Sequence, residues 1–203
     1  MPNPSPTGPE AAAALCVRDL FDNQVATRPE AVALQAGAQR WTYAEMDARV
    51  NRVCAFLIAQ GVVRGDRVAL LSENRPEWAM LDFGCTLLGL VSVPVYHTLG
   101  ADQAAYILRH SGARWVLCQN QDQLDKVLAT WESLPDLEAV LLLDGRAPRG
   151  CSRKVIRWKD LLAEGEAREA QRPAIREEAS RRQPGELATL IYTSGTTGDP
   201  KGA

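Results

Sequence analysis

The sequence predicts an α/β domain, a mostly parallel sheet flanked by helices, and three observations carry that expectation. Short apolar runs recur at residues 68–71, 91–95, 115–118 and 139–143, the right size for strands buried on both faces and too short for helices. Between them lie stretches of helical spacing that close on glycines, at Gly61, Gly89 and Gly112. Regular alternation of the two patterns marks a doubly wound sheet, because parallel strands need a crossover and a helix supplies it.

The elements follow in order. Residues 15–27 place Leu15, Leu20, Phe21 and Val25 at loosely helical spacing, and Pro29 ends the pattern. Residues 31–34 and 40–43 flank Ala36-Gly37-Ala38 and read as a short hairpin. Thr42 and Glu45 match the T-x-x-E capping box, in which each side chain satisfies the other's orphan backbone N–H. The helix that follows sets Met46, Val50, Val53, Leu57 and Ile58 on one face and stops at Gly61. Past the Arg64-Gly65-Asp66 turn comes the first buried strand run. Asn74 then fits a helix cap and Pro76 the first turn of a helix reaching about Gly89.

Helical spacing returns over residues 101–108 and 122–134, each time followed by a strand run. Residues 144–154 read as an exposed loop and 158–163 as a short helix. From Glu164 to Arg182 the chain is dense in Glu and Arg and divided by Pro173, a pattern expected of a solvated helix face or connector.

Composition narrows the function classes. The 203 residues are 46% apolar and 24% charged, ordinary for a soluble globular protein. A formal charge of −2 argues against nucleic acid as a partner. Cys16, Cys54, Cys85, Cys118 and Cys151 show neither a C-x-x-C pair nor metal-ligand spacing, so reduced thiols are expected and no metal site of protein ligands. Residues 1–9 are Pro-rich without a basic or apolar leader region, and residues 1–14 are expected to form a disordered lead-in. The longest apolar stretch, residues 79–95, contains Asp82 and is broken by Pro94, short of a membrane span. A cytoplasmic location is the expectation.

The most informative segment is Leu190-Ile191-Tyr192-Thr193-Ser194-Gly195-Thr196-Thr197-Gly198-Asp199-Pro200-Lys201-Gly202, an apolar run opening into hydroxyls, glycines and one lysine. Glycines let backbone N–H groups turn inward as an anion-binding concavity. Hydroxyls add neutral donors, and an ammonium adds a mobile point charge for phosphate oxygens. The Walker A pattern fails, since Lys201 follows Pro200 and precedes Gly202. The dinucleotide pattern G-x-G-x-x-G fails as well.

What remains, Y-T-S-G-T-T-G-x-P-K-G, resembles the phosphate-binding loop of the adenylate-forming (AMP-binding) superfamily, which includes acyl-CoA synthetases, luciferases and nonribosomal adenylation domains. A Thr/Gly-rich surface turn is the bland alternative, and an ordered match of this length after a strand run leaves it little room. The resemblance extends to Arg67-Val68-Ala69-Leu70-Leu71-Ser72-Glu73-Asn74-Arg75-Pro76-Glu77-Trp78. It extends also to Val93-Pro94-Val95-Tyr96-His97-Thr98, where Tyr-x-Thr is similar to the long-chain fatty acyl-CoA synthetase branch.

The resemblance implies ATP-dependent activation of a fatty acid to an acyl-adenylate, then transfer to coenzyme A, with Mg2+ sharing the phosphate charge. It implies phosphate contacts from Thr193, Ser194, Gly195, Thr196, Thr197, Gly198 and Lys201, with Lys201 as the catalytic charge. It implies further that residues 15–203 are the N-terminal part of the domain, cut just after the phosphate loop. The adenine, ribose, acyl and coenzyme A sites would then follow Ala203, and the isolated piece would be inactive. Fatty acid, ATP and coenzyme A are the expected partners. Peripheral contact with a membrane is compatible with a lipid substrate and is demonstrated by no segment. An adenylation domain that loads a carrier protein, or a non-catalytic nucleotide-binding module, remain as alternatives.

Other side chains carry weaker signals. His97 follows a strand run at an edge where open α/β sheets bind ligands, but a loop histidine with local hydrogen bonds explains it more simply. His110, near Gly112, is expected to interact with a helix C-terminus. Trp78 reads as core, and Glu73 and Glu77 as helix-start carboxylates. Ser194 lacks the G-x-S-x-G context of a serine hydrolase.

Overall fold

Side chains of a strand point alternately to the two faces of its sheet, so uniformly apolar strands bury both. In the computed structural model, which describes residues 16–168, 170, 172–181, 183, 185–193 and 200–203, the chain opens with α1 (Val17–Thr27) and the antiparallel hairpin β1 (Val32–Ala36) and β2 (Gln39–Thr42). The expected lead-in lies outside the described residues.

Next come α2 (Tyr43–Ala59), β3 (Arg67–Leu71), α3 (Pro76–Leu88), β4 (Val91–Val95), α4 (Ala101–Ser111) and β5 (Ala113–Cys118). They are followed by α5 (Gln121–Thr130) with a 3-10 turn at Trp131–Ser133, β6 (Ala139–Leu142), β7 (Lys154–Arg157), α6 (Trp158–Glu166) and α7 (Arg172–Ser180). A short antiparallel hairpin, β8 (Tyr192–Thr193) and β9 (Lys201–Gly202), ends the series.

Strands β3 to β7 form one sheet in the order β4-β3-β5-β6-β7, with every neighbouring pair parallel. Val68, Leu70, Trp115, Leu117, Ala139 and Leu141 face a core shared with α1, α2, α3, α6 and α7. Ala69, Leu71, Val116, Cys118, Val140 and Leu142 face the opposite core, against α4 and α5. The sheet is therefore doubly wound, as its sequence pattern predicts. Gly89 (φ 67°) and Gly112 (φ 64°) take the left-handed conformation that ends α3 and α4, which lets β4 and β5 begin almost at once. Gly165 serves closeness instead: a Cβ there would meet the Arg52 backbone at 2.1 Å, so α6 can lie directly on α2.

The capping box forms as read. Thr42 N–H donates to Glu45 Oε2 at 2.8 Å, and Glu45 N–H donates to Thr42 Oγ1 at 3.2 Å. Four expectations are corrected. The cap of α3 is Arg75, not Asn74, with Pro76 in the first turn. Ile58 sits at the edge of its helix face and is 37% exposed. Lys154, placed in a loop by the sequence, begins the strand β7. The Glu/Arg-rich run is only partly solvated, since Ile175 is buried and Arg172 and Arg176 reach inward.

What they reach is Asp47, which is 1% exposed. Its carboxylate takes Arg18 at 3.1 Å, Arg176 at 2.7 Å and Arg172. Asp22 also accepts from Arg18 and Arg176. One buried carboxylate thus joins α1, α2 and α7, elements from both ends of the described chain. Pairing on several sides makes such a charge tolerable, and removing it leaves cations uncompensated. Asp47→Ala is expected to lower unfolding free energy by about 3–5 kcal/mol in urea titration, because three guanidinium groups lose their shared partner.

All five cysteines are free. Burial pushes the Cys54 thiol up to about 12 and raises Cys85 and Cys118 as well. Only thiolates react, so an aromatic disulfide reagent should titrate Cys16 and Cys151 in the folded protein, with the other three reacting only on unfolding.

Candidate functional site

An outer strand of a parallel sheet carries backbone groups with no neighbour, and in β4 these belong to alternate residues beginning at Ser92. Ser92 N–H donates to the Ala188 carbonyl at 3.0 Å, and Leu190 N–H donates back to the Ser92 carbonyl at 2.9 Å. The Thr189 hydroxyl donates to that same carbonyl at 3.0 Å. Residues 188–190 therefore lie parallel to β4 and extend the sheet by one bridge. Pro94 shares the outward parity of Ser92, so its missing N–H takes nothing from the pairing with β3. In α3, burial raises the carboxyl of Asp82 above the usual value.

From this bridge the chain enters β8. Ile191 and Ala203 exchange two backbone hydrogen bonds, at 2.9 and 3.0 Å, and the register pairs Tyr192 with Gly202 and Thr193 with Lys201. Strand alternation puts Thr193 and Lys201 on one face and Tyr192 and Gly202 on the other. Thr193 and Lys201 are exposed, whereas Tyr192 is 7% exposed. Two of the expected phosphate contacts, Thr193 and Lys201, are thus cross-strand partners in one hairpin. Ser194, Gly195, Thr196, Thr197 and Gly198 lie outside the described residues.

The buried face has a partner that the sequence did not announce. Tyr192 Oη lies 2.7 Å from His110 Nδ1, in the last turn of α4. The two rings meet edge to face, with centroids 5.7 Å apart and planes at 88°. Tyr106, one turn earlier, stacks on the other side of His110 at 5.5 Å and 21°. His110 does sit at a helix C-terminus, as expected, but its ring nitrogen is directed to the hairpin. Burial, followed by Tyr106, raises the Tyr192 phenol above its ordinary value.

The remaining candidates resolve locally. His97 lies past the end of β4, with Nε2 3.3 Å from Glu73 Oε1, while its carbonyl accepts from Gln123 at 3.1 Å and Lys126 at 3.0 Å. These contacts are those of a loop histidine. Glu77 pairs with Arg75 at 3.3 Å in the first turn of α3. Trp78 packs half-buried against the core. Among the described residues no three His, Cys, Asp or Glu side chains gather to hold a metal ion, and no helix is long and apolar enough to cross a membrane.

Fold and hairpin together match known proteins. The chain belongs to the AMP-binding enzyme family, whose match covers residues 21–203. It is 33% identical over 173 residues to the peroxisomal long chain acyl-CoA synthetase 7 of Arabidopsis thaliana, covering 82% of this chain and 24% of that protein. It is 36% identical over 161 residues to the long-chain-fatty-acid–CoA ligase FadD15 of Mycobacterium bovis, covering 79% and 25%. Among solved structures, the anthranilate CoA ligase AuaEII in complex with anthranoyl-AMP superposes with a TM-score of 0.72 at 26% identity, over 91% of this chain and 33% of that one. The chain spans about a quarter of the length of the curated relatives it matches.

The carboxyl of Asp82 gives a pH-dependent expectation. A carboxyl whose folded pKa is raised favours folding most below its unfolded value of 3.8, and that contribution is lost as pH rises through the folded value. Asp82→Asn removes the partly buried charge. It is expected to raise the urea midpoint at pH 7 and to leave it unchanged well below pH 3.8.

Proposed function

We propose that residues 15–203 are the nucleotide-gripping N-terminal part of an ATP-dependent long-chain fatty acid–CoA ligase. On this reading Thr193, Ser194, Thr196 and Thr197 donate hydroxyl hydrogen bonds to the β- and γ-phosphates of ATP, Gly195 and Gly198 allow the backbone to wrap them, and Lys201 supplies the charge. The observation that carries the proposal is the pairing of Thr193 with Lys201 on one exposed face, flanking a sequence segment rich in hydroxyls and glycines. Membership of the AMP-binding family supports the nucleotide, and relatives named as long-chain acyl-CoA ligases support the acyl substrate.

The chemistry follows from that placement. A fatty carboxylate oxygen attacks the α-phosphorus of ATP, the bond to the bridging oxygen of the β-phosphate breaks, and pyrophosphate leaves with the negative charge. Donors aimed at the leaving phosphates lower the barrier because they need no reorganisation as that charge grows. The coenzyme A thiolate then attacks the acyl carbonyl, and AMP departs. Mg2+ would travel with the nucleotide on phosphate oxygens, as it does where one or two protein ligands at most are offered.

Lys201→Ala in the full-length protein is expected to slow fatty acid-dependent ATP–pyrophosphate exchange by about 100- to 1,000-fold, the usual effect of losing one preorganised contact to developing charge. Exchange at the unmodified rate removes Lys201 from the catalytic role.

A further inference from the structure

A hairpin paired over so few residues is marginal by itself, so its aim depends on what it is fastened to. In residues 191–193 and 200–203, Tyr192 is the one buried side chain; Ile191 is 53% exposed, and Thr193, Lys201, Gly202 and Ala203 are all exposed. The fastening of β8 and β9 beyond the Ser92 bridge therefore passes through the Tyr192 ring. That ring crosses under the partner strand, where a Cβ on Gly202 would meet it at 3.1 to 3.3 Å. Tyr192 and Gly202 form the non-hydrogen-bonded type of pair, in which side chains approach most closely, and a Cβ at residue 202 would crowd the ring. The ring ends on His110, whose own orientation is fixed by the Tyr106 stack.

We propose that His110 is a positioning residue for the phosphate loop. Through the Tyr192 hydroxyl it anchors β8 and β9 to α4 and so sets the spacing and direction of Thr193 and Lys201. The proposal rests on the nucleotide-binding reading for the identity of the ligand, but the anchoring itself does not. It also gives Gly202 a role distinct from its neighbours: it yields space to Tyr192 rather than contacting phosphate.

The test uses the full-length protein and three variants. His110→Ala removes the anchor. His110→Asn places an amide near the position of Nδ1 and keeps a hydrogen-bonding group there. Tyr192→Phe removes only the hydroxyl and preserves the packed ring. Hydrogen exchange over residues 186–203, MgATP titration and the side-chain 15N resonances of His110 are read for each.

The expected result is at least tenfold faster exchange in that segment for His110→Ala and Tyr192→Phe, with β3 to β6 unchanged. MgATP affinity should fall about tenfold in both, His110→Asn should recover most of the loss, and the Nδ1 resonance should move in Tyr192→Phe. Unchanged exchange in both of the first two variants overturns the proposal, as does an Nδ1 resonance indifferent to loss of the hydroxyl. If the unmodified protein fails to bind MgATP while the variants still loosen the segment, the anchoring stands and the nucleotide reading falls.

Discussion

The structure around the candidate site depends on one requirement, that the outermost parallel strand find a partner for its outward backbone groups. Ser92 meets it with residues 188–190, giving and receiving one backbone hydrogen bond and accepting a third from Thr189. That short junction decides where the chain leaves the sheet and therefore where the hairpin begins. This exit and the Tyr192–His110 contact together bear on where Thr193 and Lys201 stand.

A second constraint brings the chain to that edge. The path from α6 to residue 188 runs through α7, and α7 is held by ions as much as by apolar contact. Arg172 and Arg176 meet Asp47 beneath α1 and α2, while Arg64 binds Glu178 at 2.9 Å and Glu186 at 2.6 Å. Pairs half open to water are worth little one at a time. Asp47 differs, because it is almost wholly buried and shared by three guanidinium groups. The polar clasp and the Ser92 junction act in series, the first returning the chain to the sheet and the second aiming it.

The sheet was legible because its strands are short, apolar throughout and separated by helices with glycine stops. Strand β7 was not, since Lys154 and Arg157 frame only Val155 and Ile156, too little apolar signal to distinguish from a loop. The Glu/Arg run concealed its inward face because a buried arginine and a solvated one look alike until the carboxylate is found, and Asp47 is 125 residues from Arg172. At the site the motif itself was readable, hydroxyls, glycines and lysine in a characteristic order. Its support was not: Tyr192 and His110 are 82 residues apart, and neither has local spacing that points to the other. The i, i+4 aromatic pair Tyr106 and His110 was the one available hint.

Pro94 carries a consequence of its own. On the outward side of β4 it offers no N–H, so an incoming strand loses one backbone donor just past Ser92. The segment past Leu190 pairs instead with residues 201–203. A proline far upstream in sequence thus limits how far backbone hydrogen bonds can propagate along that edge.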